Sequence, residues 1–395
     1  MSYSLESIFK TTYWAISRHS EALNILQQKA ATGQDLSRVS DDPSHANQIL
    51  GFQSDQRKKE VYLNTMEEAI SVLDLSSSVV QSIMSEMANA RASLASTMSG
   101  TTSSQVRRTL ATELNNALEQ VVSFANSERL GQYLFAGANS EQAPYQVERD
   151  GNGQIIRVNY QGSQQEQNVE IIQGMELSAL LVGDQLFRDD SRQTPVFYGS
   201  TGVAAGSGTS SVRGDVYLTV AGSPGNYQLS IDGGASWMTV DGTETNVAVV
   251  NSQTGEVLYV DATGIQQTGT EPVRVPGTYD IFNILIYARD LLNNNQNLDD
   301  ETLDELMAAT LTSMQEVEEK LTRSFPVIGG RIETLSNLKD SVEDLKVNSE
   351  DEVSRLLDAD ITQLAIDLAR HQMLYEMSLT AASKIFSTSL LDFLE

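Results

Sequence analysis

The sequence predicts a mainly α protein with an inserted β domain: an elongated antiparallel helical bundle or coiled coil built from N- and C-terminal arms, with a β-rich domain in the middle. Three observations carry this reading. Residues 1–139 and 281–395 show helical periodicity, whereas 140–280 break into short alternating runs. Five of the seven prolines (Pro144, Pro195, Pro224, Pro272 and Pro276) fall in the middle. The helical arms each carry an apolar stripe, and each is the other's available partner.

The first arm is clearest after Pro43. Leu63, Met66, Ile70, Leu73, Ser77, Val80, Met84, Met87, Arg91, Leu94 and Met98 step alternately by three and four, the signature of a coiled-coil seam. Asp42 is placed to cap this helix and Pro43 to occupy its first position, where a missing N–H costs nothing. Uninterrupted to residue 98, it would be roughly 80 Å long at about 1.5 Å per residue. Gly100 and Thr101–Ser104 are expected to end it. A second helix follows over about 105–129, with Val106, Leu110, Leu114, Leu118 (or Ala117), Val121 and Phe124 on one face.

In the second arm, Asp280 is a cap for a short helix reaching Leu292. Leu303, Leu306, Thr310, Met314, Val317, Leu321 and Phe325 form another seam. Pro326 and Gly329-Gly330 are expected to kink or break that helix. Ile332, Leu335, Leu338, Val342 and Leu345 resume the stripe. A last helix in 351–395 carries Leu357, Ile361, Leu364, Leu368, His371, Tyr375, Ser378, Ala382, Ile385 and Ser389 at heptad spacing.

Between the arms, Gln154–Tyr160, Val169–Ile172, Asp215–Val220, Tyr227–Ile231 and Glu256–Asp261 read as strands, and Gly199–Gly214 as an exposed loop. The organisation expected is a terminal coiled-coil domain (1–42 and 357–395), a helical rod (43–139 and 281–356) and an outer β-rich domain (140–280).

Composition narrows the chemistry. The 395 residues carry a formal charge of −27, which disfavours polyanionic partners: nucleic acid, or an anionic membrane surface. No cysteine is present and only three histidines, His19, His45 and His371. That removes disulfides, thiolate nucleophiles and Cys-bearing zinc sites and starves general-base chemistry. No apolar run is long enough for a membrane span, and the N-terminus lacks the pattern of a cleavable signal. The expectation is a structural protein, not an enzyme, with no cofactor, metal site or membrane insertion.

The charge is unevenly placed. Residues 1–40 carry +1 and 361–395 carry −2, so nearly all of the negative charge lies between them. Two nearly neutral amphipathic tails can pack densely while an acidic body faces water. Single helices depend on packing for stability, so the tails are expected to be disordered alone and to order on assembly. The alternative is that they complete an intramolecular bundle.

Several motifs point to a family. Thr32-Gly33, then Val39-Ser40-Asp41-Asp42-Pro43 and Asn64, resemble the signature of the flagellin superfamily. Ala125-Asn126, Gly131-Gln132-Tyr133-Leu134-Phe135-Ala136-Gly137, Pro144-Tyr145 and Val158-Asn159-Tyr160-Gln161-Gly162 are similar to its junction branch, the third hook-associated proteins. Asp358-Ala359-Asp360, Ser383-Lys384-Ile385-Phe386 and Ser389-Leu390-Leu391-Asp392-Phe393-Leu394 match at the other end; Asp392 stands where filament flagellins usually carry Arg. The resemblance spans roughly 1–165 and 280–395, and nothing carries over to 166–280.

The resemblance implies a subunit exported unfolded through the flagellar secretion channel, without signal cleavage, to an extracellular place between hook and filament. It implies a ring of copies, with the first hook-associated protein and flagellin as neighbours and an export chaperone on the C-terminal helix. The interface between copies is expected to use Ile16, Leu23, Leu26, Ile361, Leu364, Leu368, Tyr375, Leu379, Ile385, Phe386, Leu390, Leu391 and Phe393. A filament flagellin is the nearest rival, and a secreted adhesin or glycan-binding protein acting through the β domain the other.

Other signals are read as structural. Ser230-Ile231-Asp232-Gly233-Gly234-Ala235-Ser236-Trp237 fits a single Asp-box hairpin, a folding device in which Asp232 caps the turn and Trp237 packs beneath. Asp299-Asp300-Glu301 suits a helix start. The Met66, Met84, Met87 and Met98 stripe is core. His371, with no His or Cys near it in sequence, reads as a packing residue.

Overall fold

The computed structural model describes residues 5–35, 42–99 and 103–394; the side chains of 5, 6, 8, 9, 99 and 385–394 are not among those described. The elements in order are α1 (Leu5–Thr32), α2 (Pro43–Ser96), α3 (Ser104–Ala125), β1 (Glu128–Arg129), β2 (Gln132–Tyr133), β3 (Tyr145–Arg149), β4 (Ile155–Tyr160), β5 (Asn168–Ile172), β6 (Met175–Ser178) and α4 (Gly183–Phe187). Then come β7 (Val196–Phe197), β8 (Ala204–Ala205), β9 (Gly214–Ser223), β10 (Asn226–Ser230), β11 (Met238–Val240), β12 (Val247–Val250), β13 (Val257–Asp261), β14 (Gly269–Val275), α5 (Asn283–Asn293), α6 (Asp300–Leu357) and α7 (Ile361–Leu394). This is the predicted class, helical arms around an inserted β region. The chain forms two compact units, Met1–Thr65 with Asn337–Glu395, and Met66–Ser336.

In the first unit, Asp42 caps α2 as expected, accepting from the backbone N–H groups of Ser44 (2.9 Å) and His45 (3.1 Å). The His45 N–H is the main reason its carboxyl is held below the usual range. Val39, Ser40 and Asp41 of the same motif lie outside the described residues. Lys59 Nζ donates to Ser349 Oγ (2.6 Å) and to the Leu345 carbonyl (3.0 Å), tying α2 to α6; Ala46, Ile49 and Val342 of the same unit are buried.

In the second unit the helical seam is dense. Met66, Ala69, Leu73, Ser76, Val80, Ile83, Met87, Ala90, Leu94 and Thr97 are all buried. The expected seam is corrected by this. Its positions 66, 73, 80, 87 and 94 hold, but the alternate row is 69, 76, 83, 90 and 97. Ile70, Ser77, Met84 and Arg91 sit half-buried beside it, and Met98 is exposed. Small side chains at Ala69, Ser76 and Ala90 let a neighbouring helix approach closely, and apolar counting overlooks them. In the same way Val106 is exposed at the start of α3, while Ala111, Leu114, Leu118 and Val121 are buried. Gly100 lies outside the described residues.

Helix α6 runs unbroken through Pro326 and Gly329-Gly330, so the expected break is absent. Proline removes one helical hydrogen bond, at a cost of about 3 kcal/mol or more in a helix interior. Burial of Leu321, Ile328 and Leu335, seven residues apart on one face, outweighs it. The acidic start of α6 is a cap: Asp299 accepts from Thr302 N at 2.9 Å.

The resemblance motifs gather into a small core. Asn126 brackets Tyr145, donating to its carbonyl (2.8 Å) and accepting from its N–H (2.9 Å). Tyr145 then meets Phe282 (4.7 Å between centroids) and Tyr160 (5.2 Å), and Phe135 meets Phe187 edge-on at 4.9 Å. Gly137, at φ +60°, presses against the carbonyls of Ser163 and Gln165, where a Cβ would collide. The motif is conformationally demanding as well as apolar.

All five strands expected from the sequence are present. Strands β7 to β14 make a sandwich: a five-stranded antiparallel sheet in the order β11-β10-β9-β14-β7 and a three-stranded one in the order β12-β13-β8. Leu218, Val220, Leu229, Leu258, Val260 and Val273 form its core. Gly199–Gly214 is not the exposed loop expected. It contains β8, and Thr201, Val203, Ser210 and Val212 are buried. Its serines and glycines serve packing: Ser210 Oγ accepts from Tyr259 N (3.0 Å), and Gly208 lies against the Tyr259 ring. Asp232 caps its hairpin, accepting from Ser236 N (2.9 Å), Ser236 Oγ (2.6 Å) and Ser252 Oγ (2.8 Å). These bonds, Ser236 Oγ first, hold its carboxyl far below the usual range.

Two buried arginines join layers of this unit. Arg274 of β14 donates to Thr310 Oγ1 (2.6 Å), Ser313 Oγ (3.2 Å) and the Leu306 carbonyl (3.2 Å) on α6. Its Nε lies 3.3 Å from Asp215 of β9, and its guanidinium stands over the Tyr279 and Tyr287 rings. Burial pushes the Asp215 carboxyl up to about 6, against the opposing pull of Arg274. Arg289 of α5 donates to Asn115 Oδ1 (3.0 Å) on α3 and to the Ile155 carbonyl (2.8 Å) on β4.

Candidate assembly interface

Both tails are helical, and they pair antiparallel with each other. Gly33, at φ +71°, ends α1 in the left-handed conformation that suits glycine, its N–H donating to the Lys29 carbonyl at 2.8 Å. The chain segments beside the pair then bond to one another. Asp35 N donates to the Leu357 carbonyl (2.7 Å) and Ala359 N to the Gly33 carbonyl (2.9 Å). Asp360 caps α7 by accepting from Thr362 N (2.9 Å) and Gln363 N (3.1 Å). The motifs Thr32-Gly33 and Asp358-Ala359-Asp360 are thus the two ends of a paired connector.

On α7 the expected heptad stripe holds from Leu364 onward among the described residues. Ile16, Leu23 and Leu26 are half-buried on α1; Leu364 is buried, and Leu368 and Tyr375 half-buried, on α7. Ile361 and Leu379 are exposed. The side chains of Ile385, Phe386, Leu390, Leu391 and Phe393 lie outside the described residues. Midway along the pair, His19 Nδ1 and His371 Nδ1 are 3.4 Å apart. His371 is therefore not a lone packing residue; a second imidazole from the far end of the sequence faces it.

The outer faces escape the heptad reading. Tyr13, Trp14 and Ile25 on α1, and Ile366, Met373 and Met377 on α7, are large, apolar and exposed, Tyr13 by 76% and Met373 by 64%. Arg18 lies over the Trp14 ring, 5.6 Å from its centroid. On α7 these residues are spaced by seven and four, a second stripe on the side opposite Leu364 and Leu368. The sequence signal for it is a helix apolar on more than one face, which marks a helix meant to be covered. An exposed apolar stripe of this kind is the property of an interaction site.

The comparisons agree with this arrangement. Residues 7–140 match the bacterial flagellin N-terminal helical region. That match covers the N-terminal third of the chain. Flagellar hook-associated protein 3 of Escherichia coli (strain K12) is 28% identical over 123 residues, 31% of this chain and 39% of the relative. The protein of the same name from Salmonella typhimurium is 30% identical over 121 residues, 30% and 38% of the respective lengths. The matched part of the chain therefore spans about two fifths of these relatives. Flagellar hook-associated protein 3 from Legionella pneumophila superposes with a TM-score of 0.53 at 16% identity, covering 78% of this chain and 98% of its own. Xanthomonas campestris FlgL does so at 0.50 and 20%, covering 77% and 98%. The fold is that of these flagellar proteins. Among the described residues no helix is long and apolar enough to cross a membrane.

Proposed function

We propose that this chain is a structural subunit of the bacterial flagellum that joins hook to filament, and that copies of it assemble as a ring through their paired terminal helices. The observation that carries the reading is the pair itself: α1 and α7 cover each other along one face and leave Tyr13, Trp14, Ile25, Ile366, Met373 and Met377 exposed along the others. The flagellin-type N-terminal region and the shared fold support the same role. On this reading the subunit is exported unfolded without cleavage, lies outside the cell, and meets the first hook-associated protein on one side and flagellin on the other. An export chaperone covers the C-terminal helix beforehand. Ile361 and Leu379 join the outer surface. Ile16, Leu23, Leu26, Leu364, Leu368 and Tyr375 hold the pair together.

The test is a strain lacking this chain, complemented with wild type or with Met373→Glu plus Met377→Glu. The deletion is expected to leave hooks without filaments and to shed flagellin into the medium. The double variant is expected to be exported and as stable as wild type in isolation, within about 0.5 kcal/mol, because both side chains are solvent-facing there. It should nevertheless fail to retain filaments in electron micrographs. Normal filaments in either strain would refute the role.

A further inference from the structure

Of the three histidines in 395 residues, two stand 352 positions apart in sequence and meet between α1 and α7. Their neighbours along the inner face are apolar or aromatic: Ile16 and Leu23 flank His19, Leu368 and Tyr375 flank His371. The rings are neither stacked nor edge-on; their centroids are 5.6 Å apart and their planes are tilted by 56°. The atoms that approach are the two Nδ1 nitrogens, at 3.4 Å.

That separation is long for a hydrogen bond. It is, however, the bite of a tetrahedral metal ion. With zinc about 2.0–2.1 Å from each imidazole nitrogen, the tetrahedral angle sets the two nitrogens roughly 3.3–3.4 Å apart. With Nδ1 protonated on one ring the contact is a long hydrogen bond; with both protons on Nε2, the two Nδ1 lone pairs face each other across the gap and a cation between them relieves their repulsion. We infer that His19 and His371 form a binding site for a borderline divalent transition-metal ion, zinc above all, that clips α1 to α7. Imidazole suits zinc, nickel and copper, whereas magnesium and calcium require oxygen ligands. Among the described residues no third His, Cys, Asp or Glu completes a cluster with them. The site is thus two-coordinate from protein, and water fills the remaining positions. An ion held only by the paired helices favours pairing by a factor of one plus the ratio of its free concentration to its dissociation constant. At a zinc concentration one hundred times the dissociation constant, opening of the pair falls about a hundredfold.

The experiment uses the full chain stripped of metal with a chelator and titrated calorimetrically with zinc chloride. One saturable site per chain is expected, lost in His19→Gln and in His371→Gln, kept in His45→Gln, and absent for magnesium. Hydrogen exchange across 10–30 and 363–382 should slow in both helices together as zinc is added. Imidazole 15N shifts of the unaltered chain provide a readout that needs no variant: zinc should move Nδ1 of His19 and His371. The inference fails if zinc does not saturate, if either glutamine variant with wild-type helicity still binds, or if only His45 responds, since His45 has its own carboxylate partner in Asp42 at 2.6 Å.

Discussion

Two stretches of helix with the same apolar period behave differently in this molecule. In the second unit, ten successive seam positions from Met66 of α2 to Thr97 just beyond its end are buried. In the terminal pair, only Leu364 and Ala382 are buried among the described residues of α1 and α7. The heptad pattern is equally good in both. Periodicity therefore specifies which face a helix will bury, but how deeply it is buried depends on how many partners the chain can bring to it. The α2 stretch has a sandwich, two shorter helices and α6 in its unit. The tails have one another, and a two-helix pair of this length gains little from propensity alone.

The contrast can be measured separately in each unit, because the chain has only two tryptophans, Trp14 in the terminal pair and Trp237 in the sandwich. A Trp14→Phe background makes fluorescence report the second unit, and Trp237→Phe the first. The largest effect is expected from Arg274→Ala. It leaves Thr310 and Ser313 without their donor and the buried Asp215 carboxylate with only the Tyr279 hydroxyl (2.8 Å) and no opposite charge, and should remove about 3–5 kcal/mol from urea unfolding of the second unit while leaving the Trp14 signal unchanged. Next come paired truncations. Leu94→Ala, at a fully buried seam position, should cost about 2–5 kcal/mol. Leu368→Ala, half-buried, should cost about 1 kcal/mol or less in the isolated chain. Equal losses would mean that the tails are as well packed as the seam.

A pH dependence sharpens the comparison from within the second unit. Burial pushes Asp215 up to about 6, so the folded state holds that proton more tightly than the unfolded chain does. The stability this contributes is complete below the ordinary aspartate range and is lost as pH rises through about 6. The difference between wild type and Asp215→Asn should therefore change by on the order of 2–3 kcal/mol between pH 4 and pH 7, wild type losing more as the pH rises. A pH-independent difference would show that the carboxyl titrates normally.

Much of this architecture was legible in the residues. The inserted β region, the Asp42 and Asp280 caps and the inner face of the terminal pair follow from spacing and capping chemistry. Asp280 does accept from Phe282 N (2.8 Å) and Asn283 N (2.7 Å) at the start of α5. What stayed hidden has physical causes. Ala69, Ser76 and Ala90 are core because they are small, a property that apolar counting scores as neutral. Pro326 is tolerated because long-range burial exceeds a local penalty. The serines and glycines of Gly199–Gly214 look like a loop until Tyr259 is laid against them. Arg274 is one charge in an alternating strand, and nothing in its neighbours announces that it spans to α6. The outer stripe of α7 was masked by the better-formed inner one. The His19–His371 contact joins positions that no local pattern connects.

The short bridge at the base of the tails has a mechanical consequence. Gly33 to Asp35 and Leu357 to Ala359 are bonded to each other by two amides running in opposite directions. Tension entering along either helix is shared across both strands of chain at that point. Neither tail can be drawn out without shearing two bonds at once, and they yield as a single rivet.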